Sequence, residues 1–268
     1  MHSVYSDGSH EPEVILQKVR EAGLDLFSLT DHDSFKGCAR MRELLKPGDP
    51  VFINGIEFSC RDQFGKYHIL GYHFEETESG VARAADWTHF QRIDKAIRRF
   101  DYIEQKTGCR FTDEERQRIL SEHNPGRPHF ARMAMEKGLA SDFSEAFQLI
   151  SGLGGNSRYL TAKEAIEAIL ESGGIPVLAH GILEEGSGHL TFDELKERTR
   201  RLMNYGLKGM ECFYSSYTAD EVNGSLSLSK ELGLVVTAGS DFHGPSKSAV
   251  GNTNHPDPKA MEAFYELL

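Results

Sequence analysis

The sequence predicts an α/β fold interrupted by a helical insertion, and three observations lead to this prediction. Predicted strands and helices alternate over residues 1–80 and again over residues 157–268. Over residues 81–156 the strand patterns vanish, and charged helical segments take their place. Almost every predicted strand also ends in a histidine or an acidic residue. We therefore predict one α/β domain in two parts, 1–80 and 157–268, with an insertion over 81–156.

The first part of the predicted domain opens with a helix over residues 12–22. Pro12 suits its first turn, and Gly23 suits its C-terminal stop. Apolar segments bounded by turn residues then predict three strands, the second and third paired through a polar turn. These strands are expected over 26–30, 51–57 and 67–72, with the turn around 62–66.

The insertion and the second part follow from helical patterns and capping signals. Thr161 with Glu164 and Thr191 with Glu194 form capping boxes that predict two helix starts. The helices of the insertion are expected over 91–106, 113–121, 129–137 and 144–150. In the second part we expect helices over 161–171, 191–205 and 219–232, and strands over 175–179, 209–214 and 234–238.

Composition and charge exclude several classes of protein. The 268 residues are 39% hydrophobic and 26% charged, and they contain no apolar run long enough to span a membrane. The start lacks the basic and apolar segments of a signal peptide, and the 4 cysteines lack C-x-x-C spacing, which favours a reducing cytoplasm. A net charge of −11 disfavours duplex nucleic acid as a partner. A small phosphorylated substrate stays compatible, because bound metal ions can reverse the local charge.

Metal-ligand residue types follow several of the predicted strands. In β/α barrels the active site lies at the carboxyl ends of the strands, so these side chains are expected to converge. A single strand-end histidine would mean little, since it could lie on the surface, but the set as a whole predicts a metal site. The residues that carry this argument are His32, Glu57, His180, Asp241 and His243.

The chemistry of this set leaves the metal open. Imidazole and carboxylate ligands without cysteine suit Zn²⁺, Mn²⁺ or Fe²⁺, and the number of candidates favours two or three ions. Glu57 follows an apolar strand and would otherwise be a buried carboxylate without a partner, which is costly. His68 lies within a predicted strand and could instead be half exposed there. Asp31 and Asp33 are expected to orient imidazoles or to cap a helix.

The motifs His2–Gly8, Leu29–Asp33, Gly55–Glu57, Ala179–His180 and Gly239–His243, in this order, resemble the polymerase and histidinol phosphatase (PHP) family. The resemblance covers both parts of the α/β domain and implies a distorted (β/α)₇ barrel. The segment 126–132 further resembles the small bacterial PHP phosphoesterases. Those enzymes act on nucleotide or sugar phosphates, for example nucleoside 3′,5′-bisphosphates, and some relatives open cyclic phosphodiesters.

The resemblance also implies a ligand set. The family begins with His-x-His, whose first histidine would precede Met1, and it usually has proline where this chain has Gly181. By motif, a first metal would be held by His2, Glu57 and Asp241, a second by Glu57, His68 and His180, and a third by Asp7, His32 and His243.

Basic residues near the insertion are candidates for phosphate binding. Arg127 and His129 start a predicted helix, and Arg158 follows the glycine-rich stretch 152–155. An arginine can clamp a phosphate through two hydrogen bonds, although surface charges at a helix start would look the same. We assign Arg132 to the surface.

The predicted activity is hydrolysis of a small phosphate ester by water that the metals activate. Asp241 and His243 are the predicted catalytic residues, and either His243 or His189 could protonate the leaving group. The first alternative is a cyclic phosphodiesterase on the same scaffold. Amide or lactone hydrolysis would not need the basic cluster, and a non-catalytic metal-binding module would not need so complete a ligand set.

Overall fold

The computed structural model describes residues 1–151, 158–184, 188–245, 247–254 and 256–268. The glycine-rich stretch 152–155 lies outside the described residues. The chain forms two compact units. Unit 1 contains Met1–Ala85 and Tyr159–Leu268, and unit 2 contains Asp86–Arg158.

Unit 1 is built on a mixed sheet of six strands in the order β1-β2-β3-β4-β7-β8. The β2/β3 and β3/β4 pairs are antiparallel, whereas β1/β2, β4/β7 and β7/β8 are parallel. A small second sheet pairs β5 with β6. The strands are β1 (Leu26–Leu29), β2 (Val51–Asp62), β3 (Gly65–Tyr72), β4 (Ile175–Leu178), β5 (Leu183–Glu184), β6 (Gly188–His189), β7 (Gly209–Tyr214) and β8 (Val235–Gly239).

The six-stranded sheet is curled. Strands β1 and β8 stand at opposite ends of the strand order, yet residues of both line one cavity of about 280 Å³. This confirms the predicted α/β class, but the described residues form six strands in the main sheet and not a closed set of seven. The predicted pairing of the second and third strands through a polar turn is confirmed by the antiparallel β2/β3 hairpin.

The N-terminal segment is hydrogen-bonded to the chain just beyond both edge strands. The Thr30 N–H, after β1, donates to the Met1 carbonyl at 2.9 Å. The His2 N–H donates to the Phe242 carbonyl, after β8, at 2.8 Å. The segment therefore bridges the chain that leaves β1 and the chain that leaves β8, and it places His2 at the carboxyl end of the sheet.

Helices cover the sheet of unit 1 with their apolar faces. Ile15, Leu16 and Val19 of the first helix form a buried cluster with Leu29 and Met41. The predicted capping boxes at Thr161 and Thr191 are both present, because each depends only on residues three positions apart. The helices are α1 (Pro12–Glu21), α2 (Lys36–Leu44), α7 (Ala162–Glu171), α8 (Phe192–Met203), α9 (Ala219–Leu232) and α10 (Glu262–Tyr265), with a 3₁₀ turn over Pro258–Met261.

Unit 2 is helical, with its own apolar core. Phe100 and Ile103 pack there with Phe130, Met133 and Ile150. Its helices are most of α3 (Gly80–Thr107), then α4 (Asp113–Leu120), α5 (Arg127–Glu136) and α6 (Phe143–Ser151). Helix α3 begins well before the predicted start at residue 91. Among the described residues, no helix has both the length and the apolar character needed to cross a membrane.

An ion pair between Arg20 and Asp49 supports a prediction about acid stability. The guanidinium Nε and Nη2 atoms donate to the two Asp49 oxygens at 2.7 Å each. The Lys46 N–H donates to the same carboxylate. Arg20 first, and then the Lys46 amide, lower the pKa of Asp49 from 3.8 to about 2.

We expect Asp49→Asn to lower the free energy of unfolding at pH 7. Because the pKa of Asp49 is lower in the folded chain, its stabilisation is present above pH 3.8 and is lost as the pH falls through 2. Urea unfolding of both proteins at stepwise pH should show their difference shrinking below pH 4. The same substitution in an Arg20→Met background should show a smaller difference, and a constant difference down to pH 2 would contradict the assignment.

Candidate metal centre

Glu57 lies at the centre of the predicted ligand set. It is 3% exposed, and imidazole nitrogens approach both of its carboxylate oxygens. His68 Nδ1 lies 2.7 Å and His180 Nε2 lies 3.2 Å from Glu57 Oε1. His2 Nε2 lies 3.0 Å from Oε2. One buried carboxylate therefore joins histidines from the N-terminal segment, from β3 and from the end of β4.

The pairing of β1 with β2 continues beyond β1 and brings His32 beside Glu57. These two residues form an isolated parallel bridge. The Glu57 N–H donates to the Asp31 carbonyl at 3.1 Å, and the Asp33 N–H donates to the Glu57 carbonyl at 2.9 Å. His32 Nδ1 consequently lies 4.0 Å from Glu57 Oε2.

A second part of the cluster forms where the N-terminal segment meets the loop after β8. His243 Nε2 lies 3.2 Å from Asp7 Oδ1, and His2 Nε2 lies 3.1 Å from Asp241 Oδ1. The rings of His2 and His243 stack with their centroids 4.0 Å apart. His32 Nε2 lies 4.0 Å from Asp7 Oδ2, so this histidine links the two parts of the cluster.

The structure brings all the predicted ligands together, with a grouping that differs in part from the predicted one. The set His2, Glu57 and Asp241 is the same. The second predicted set was Glu57, His68 and His180. In the structure His32 completes the compact group with Glu57 and His68, and His180 contacts the Glu57 carboxylate without belonging to that group. In the third group His2 joins the predicted residues. The compact groups are His2, Asp7, His32 and His243; His32, Glu57 and His68; and His2, Glu57 and Asp241, with ligand atoms within 4.8 Å in each.

The environment of the His2 ring nitrogens indicates whether the clustered residues fit a cation. Its side chain is 1% exposed, and among the described residues neither ring nitrogen makes a hydrogen bond of acceptable geometry. Its Nε2 atom nevertheless lies 3.0 and 3.1 Å from oxygens of Glu57 and Asp241. Buried polar groups normally find a partner. Donor atoms that converge without hydrogen-bond alignment, on imidazole and carboxylate side chains, fit a divalent cation.

The charges in the cluster are strongly coupled. Burial lowers the pKa of His2, but the Asp241 and Glu57 carboxylates outweigh burial and raise that pKa to about 9. Burial lowers the pKa of His32 to about 3. Burial alone would raise the pKa of Glu57, yet the surrounding imidazoles hold it well below its ordinary value. Without a cation, a proton on His2 supplies positive charge between the Asp241 and Glu57 carboxylates. A divalent cation would supply more positive charge at the same place.

Backbone strain is concentrated at the cluster. His180 has a φ of 30° and Asp241 a φ of 47°, both in the left-handed region that residues other than glycine rarely adopt. Each residue lies just after the end of a strand. Strained positions of this kind persist only where the surrounding structure holds them, and they often mark functional sites.

Asp31 positions the N-terminal segment. Its Oδ1 atom accepts from the Ser3 N–H at 2.7 Å and from the Ser6 hydroxyl at 2.6 Å. Its Oδ2 atom accepts from the Ser3 hydroxyl at 2.7 Å. The sequence predicted that Asp31 orients an imidazole or caps a helix. In the structure it acts on the loop that carries His2 and Asp7.

Glu211 is a site residue that the sequence analysis missed. It lies on β7, is 5% exposed, and its Oε2 atom accepts from the His180 N–H at 2.8 Å. Burial raises its pKa to about 7. The signal was present, because Glu211, like Glu57, is a carboxylate in an otherwise apolar strand.

Tyr214 and Lys247 were also missed, and both contact Asp241. The Tyr214 hydroxyl donates to Asp241 Oδ2 at 2.7 Å. The Lys247 ammonium donates to the same oxygen at 2.5 Å and lies 3.4 Å from His243 Nδ1. A tyrosine inside a strand and a lysine in a loop carry no local signal that would connect them to Asp241.

The predicted phosphate-binding residues lie in unit 2. Arg127 is exposed at the start of α5, with its guanidinium carbon 5.8 Å from the Phe147 ring centre. His129 Nδ1 accepts from the Gly126 N–H at 3.1 Å, so this side chain helps to begin the helix. Arg158 is exposed at the end of the unit. Their predicted role in substrate binding stays a prediction.

His189 was predicted as an alternative acid. It is exposed on β6, and its Nδ1 atom contacts the Glu221 carboxylate at the start of α9. His243, in contrast, lies within the cluster.

Comparison with known proteins identifies relatives that span nearly the whole chain. A phosphoribosyl 1,2-cyclic phosphate 1,2-diphosphodiesterase from Eggerthella lenta is 28% identical over 254 residues, 91% of this chain and 92% of its own. A 3′,5′-nucleoside bisphosphate phosphatase from Chromobacterium violaceum is 25% identical, covering 99% and 94%. A 5′-3′ exoribonuclease from Haemophilus influenzae is 26% identical, covering 91% and 88%. No protein-family model matches the chain.

Solved structures share the fold. A presumed metal-dependent phosphoesterase from Bifidobacterium adolescentis superposes with a TM-score of 0.81 at 22% identity, covering 99% of this chain and 94% of that one. An amidohydrolase from Chromobacterium violaceum, solved with bound sulfate and no metal, gives a TM-score of 0.79 at 24% identity, covering 99% and 93%.

The three curated relatives named above are all phosphate-ester hydrolases. They confirm the resemblance, the enzyme class and the phosphoesterase activity that the motifs predicted. One of the three named relatives is an exoribonuclease, so a net charge of −11 does not by itself separate this chain from nucleases. The expectation about duplex nucleic acid stays a prediction.

We expect Glu57→Gln to abolish tight metal binding, because this carboxylate is shared between two of the candidate cation groups. Even outer ligand partners typically contribute about 10- to 100-fold to metal affinity, and a shared ligand should contribute at least as much. Metal content after dialysis, measured by elemental mass spectrometry, would report the loss. Circular dichroism would verify folding, and Glu171→Gln, at an exposed ion pair on α7, is the matched control. Full metal content in folded Glu57→Gln would contradict the assignment.

Proposed function

We propose that this chain removes phosphate from a small nucleotide or sugar phosphate, using two or three divalent ions. The single observation that carries the proposal is the buried Glu57 carboxylate, which imidazoles approach within 2.7 to 3.2 Å. Mn²⁺, Zn²⁺ and Fe²⁺ all suit these donors. The residues that would hold the ions are His2, Asp7, His32, Glu57, His68, His180, Asp241 and His243.

We also propose that unit 1 is a distorted (β/α)₇ barrel. The backbone hydrogen bonds of Met1 and His2 to the chain beyond β1 and beyond β8 support it. In this interpretation the N-terminal segment takes the place of the remaining strand and closes the curled sheet.

The protein side chains prepare the reaction by fixing atoms in position. Divalent ions at such a site act as Lewis acids and lower the pKa of water towards neutrality. His243 Nδ1 donates to the Asp241 carbonyl at 2.8 Å, and Nε2 lies 3.2 Å from Asp7 Oδ1, so both sides of the cluster fix the position of this ring. Asp241 and His243 are the residues that we place at the reacting atoms, and His243 is the proposed acid.

The relatives support the class of substrate. The Chromobacterium violaceum relative is a bisphosphate phosphatase, and the Eggerthella lenta relative opens a cyclic phosphate. A cyclic phosphodiesterase is therefore the second candidate, favoured by the 28% identity to the latter. Both reactions need the same cations and a positively charged environment for phosphate. The cysteine usage favours the cytoplasm as their location.

Arg127, His129 and Arg158 are the proposed phosphate-binding residues. The position of Arg127 at the exposed start of α5 supports this role, because a guanidinium can donate two parallel hydrogen bonds to a phosphate.

The activity is tested with metal-free protein reloaded separately with Mn²⁺, Zn²⁺ or Fe²⁺. We expect phosphate release from nucleoside 3′,5′-bisphosphates or, for the second candidate, ring opening of a cyclic phosphate to its monoester. A chelator should abolish either activity. Asp241→Asn should lower kcat at least about 100-fold, because Asp241 would hold a cation that stabilises transition-state charge. Asp220→Asn, exposed on α9, is the control. Unchanged turnover in Asp241→Asn would rule out this centre.

We expect Arg127→Met to raise KM about tenfold or more with little change in kcat, because it removes a charge-assisted hydrogen bond to bound substrate. Steady-state kinetics would show this split. Arg132→Met provides the matched control, since Arg132 is exposed on the same helix and is assigned to the surface. Equal KM values for the two variants would remove Arg127 from the substrate site.

A further inference from the structure

Lys247 brings a positive charge to the metal centre from within unit 1. It lies in the loop after β8, where its N–H donates to the Gly244 carbonyl at 3.3 Å. Its ammonium lies 2.5 Å from Asp241 Oδ2 and 3.4 Å from His243 Nδ1. The side chain is 47% exposed, so the ammonium is held on one side and open to solvent on another.

The two oxygens of Asp241 face different partners. Oδ1 lies 3.1 Å from His2 Nε2 and belongs to the candidate cation group with Glu57. Oδ2 accepts from the Tyr214 hydroxyl at 2.7 Å and from Lys247. Because the cation-facing oxygen is separate from the oxygen that binds Lys247, a cation on Oδ1 does not require the lysine to leave.

An ammonium group has three donors, and Asp241 occupies one of them. The cluster also contains Asp7 and Glu57, so a phosphate that approaches it meets several carboxylates. Cations at the centre reduce this repulsion, and a half-exposed lysine at the same place reduces it further. An ammonium fixed beside the reacting groups is a suitable donor to a phosphate oxygen.

We propose that Lys247 is a substrate-binding residue whose ammonium donates to a non-bridging phosphate oxygen while Asp241, itself held by Tyr214, keeps the ammonium in place. This inference rests on the proposed phosphoesterase function and adds a specific phosphate contact to it. A purely structural role, in which Lys247 only orients Asp241 as a ligand, would instead weaken metal binding.

Calorimetric titration of inorganic phosphate into Mn²⁺-loaded protein separates the two roles. We expect the Kd for phosphate to rise about 10- to 100-fold in Lys247→Met, the effect of losing a charge-assisted hydrogen bond. Metal content should stay at the wild-type level. Lys247→Arg, which keeps the charge, should recover much of the affinity. Lys163→Met, at an exposed ion pair on α7, is the matched control and should bind phosphate like the wild type.

Two results would overturn the inference. An unchanged phosphate Kd in fully metal-loaded Lys247→Met would show that the ammonium does not contact phosphate. A fall in metal content that accounts for the weaker phosphate binding would assign Lys247 to the positioning of Asp241. Failure of the wild-type protein to hydrolyse any phosphate ester would instead refute the proposed function, and the phosphate titration would still decide the role of Lys247.

Discussion

The burial of one carboxylate, that of Glu57, is the constraint on which the rest of the site depends. Removing an ionised carboxylate from water is costly unless positive charge compensates it. Here the compensation comes from imidazoles that approach both oxygens, and it would be completed by cations. The chain must therefore deliver several histidines to one point. The curled sheet meets this requirement, because its strand ends converge at one side of the unit.

Holding the ligand side chains close together requires strained backbone conformations. His180 and Asp241 adopt positive φ angles directly after β4 and β8, and neighbouring polar groups hold both residues. Glu211 accepts from the His180 N–H, and Tyr214 donates to the Asp241 carboxylate. The buried polar residues of β7 thus support ligands that come from the two strands beside it. Such support keeps the donor atoms close together, although close approach is unfavourable while they lack a cation.

The features of this chain that could be predicted are those that depend on residues close together in the sequence. The capping boxes at Thr161 and Thr191 marked helix starts, and strand-end histidines and carboxylates marked the ligand set. The grouping of ligands was not predictable, because whether His32 or His180 completes a set depends on how far β1/β2 pairing continues. Contacts such as Tyr214 to Asp241 arise only from the tertiary fold. The six-strand order of the sheet also depends on pairings between distant segments.

The sequence positions of the ligands have a consequence for biosynthesis. His2, His32, Glu57 and His68 are synthesised before unit 2, whereas His180, Asp241 and His243 follow it. A nascent chain that has emerged only as far as unit 2 holds the Glu57 carboxylate without its later partners. Domains generally fold as units once their segments are available, and distant pairings form slowly. An interrupted translation product that ends within unit 2 therefore carries an incomplete set of candidate ligands.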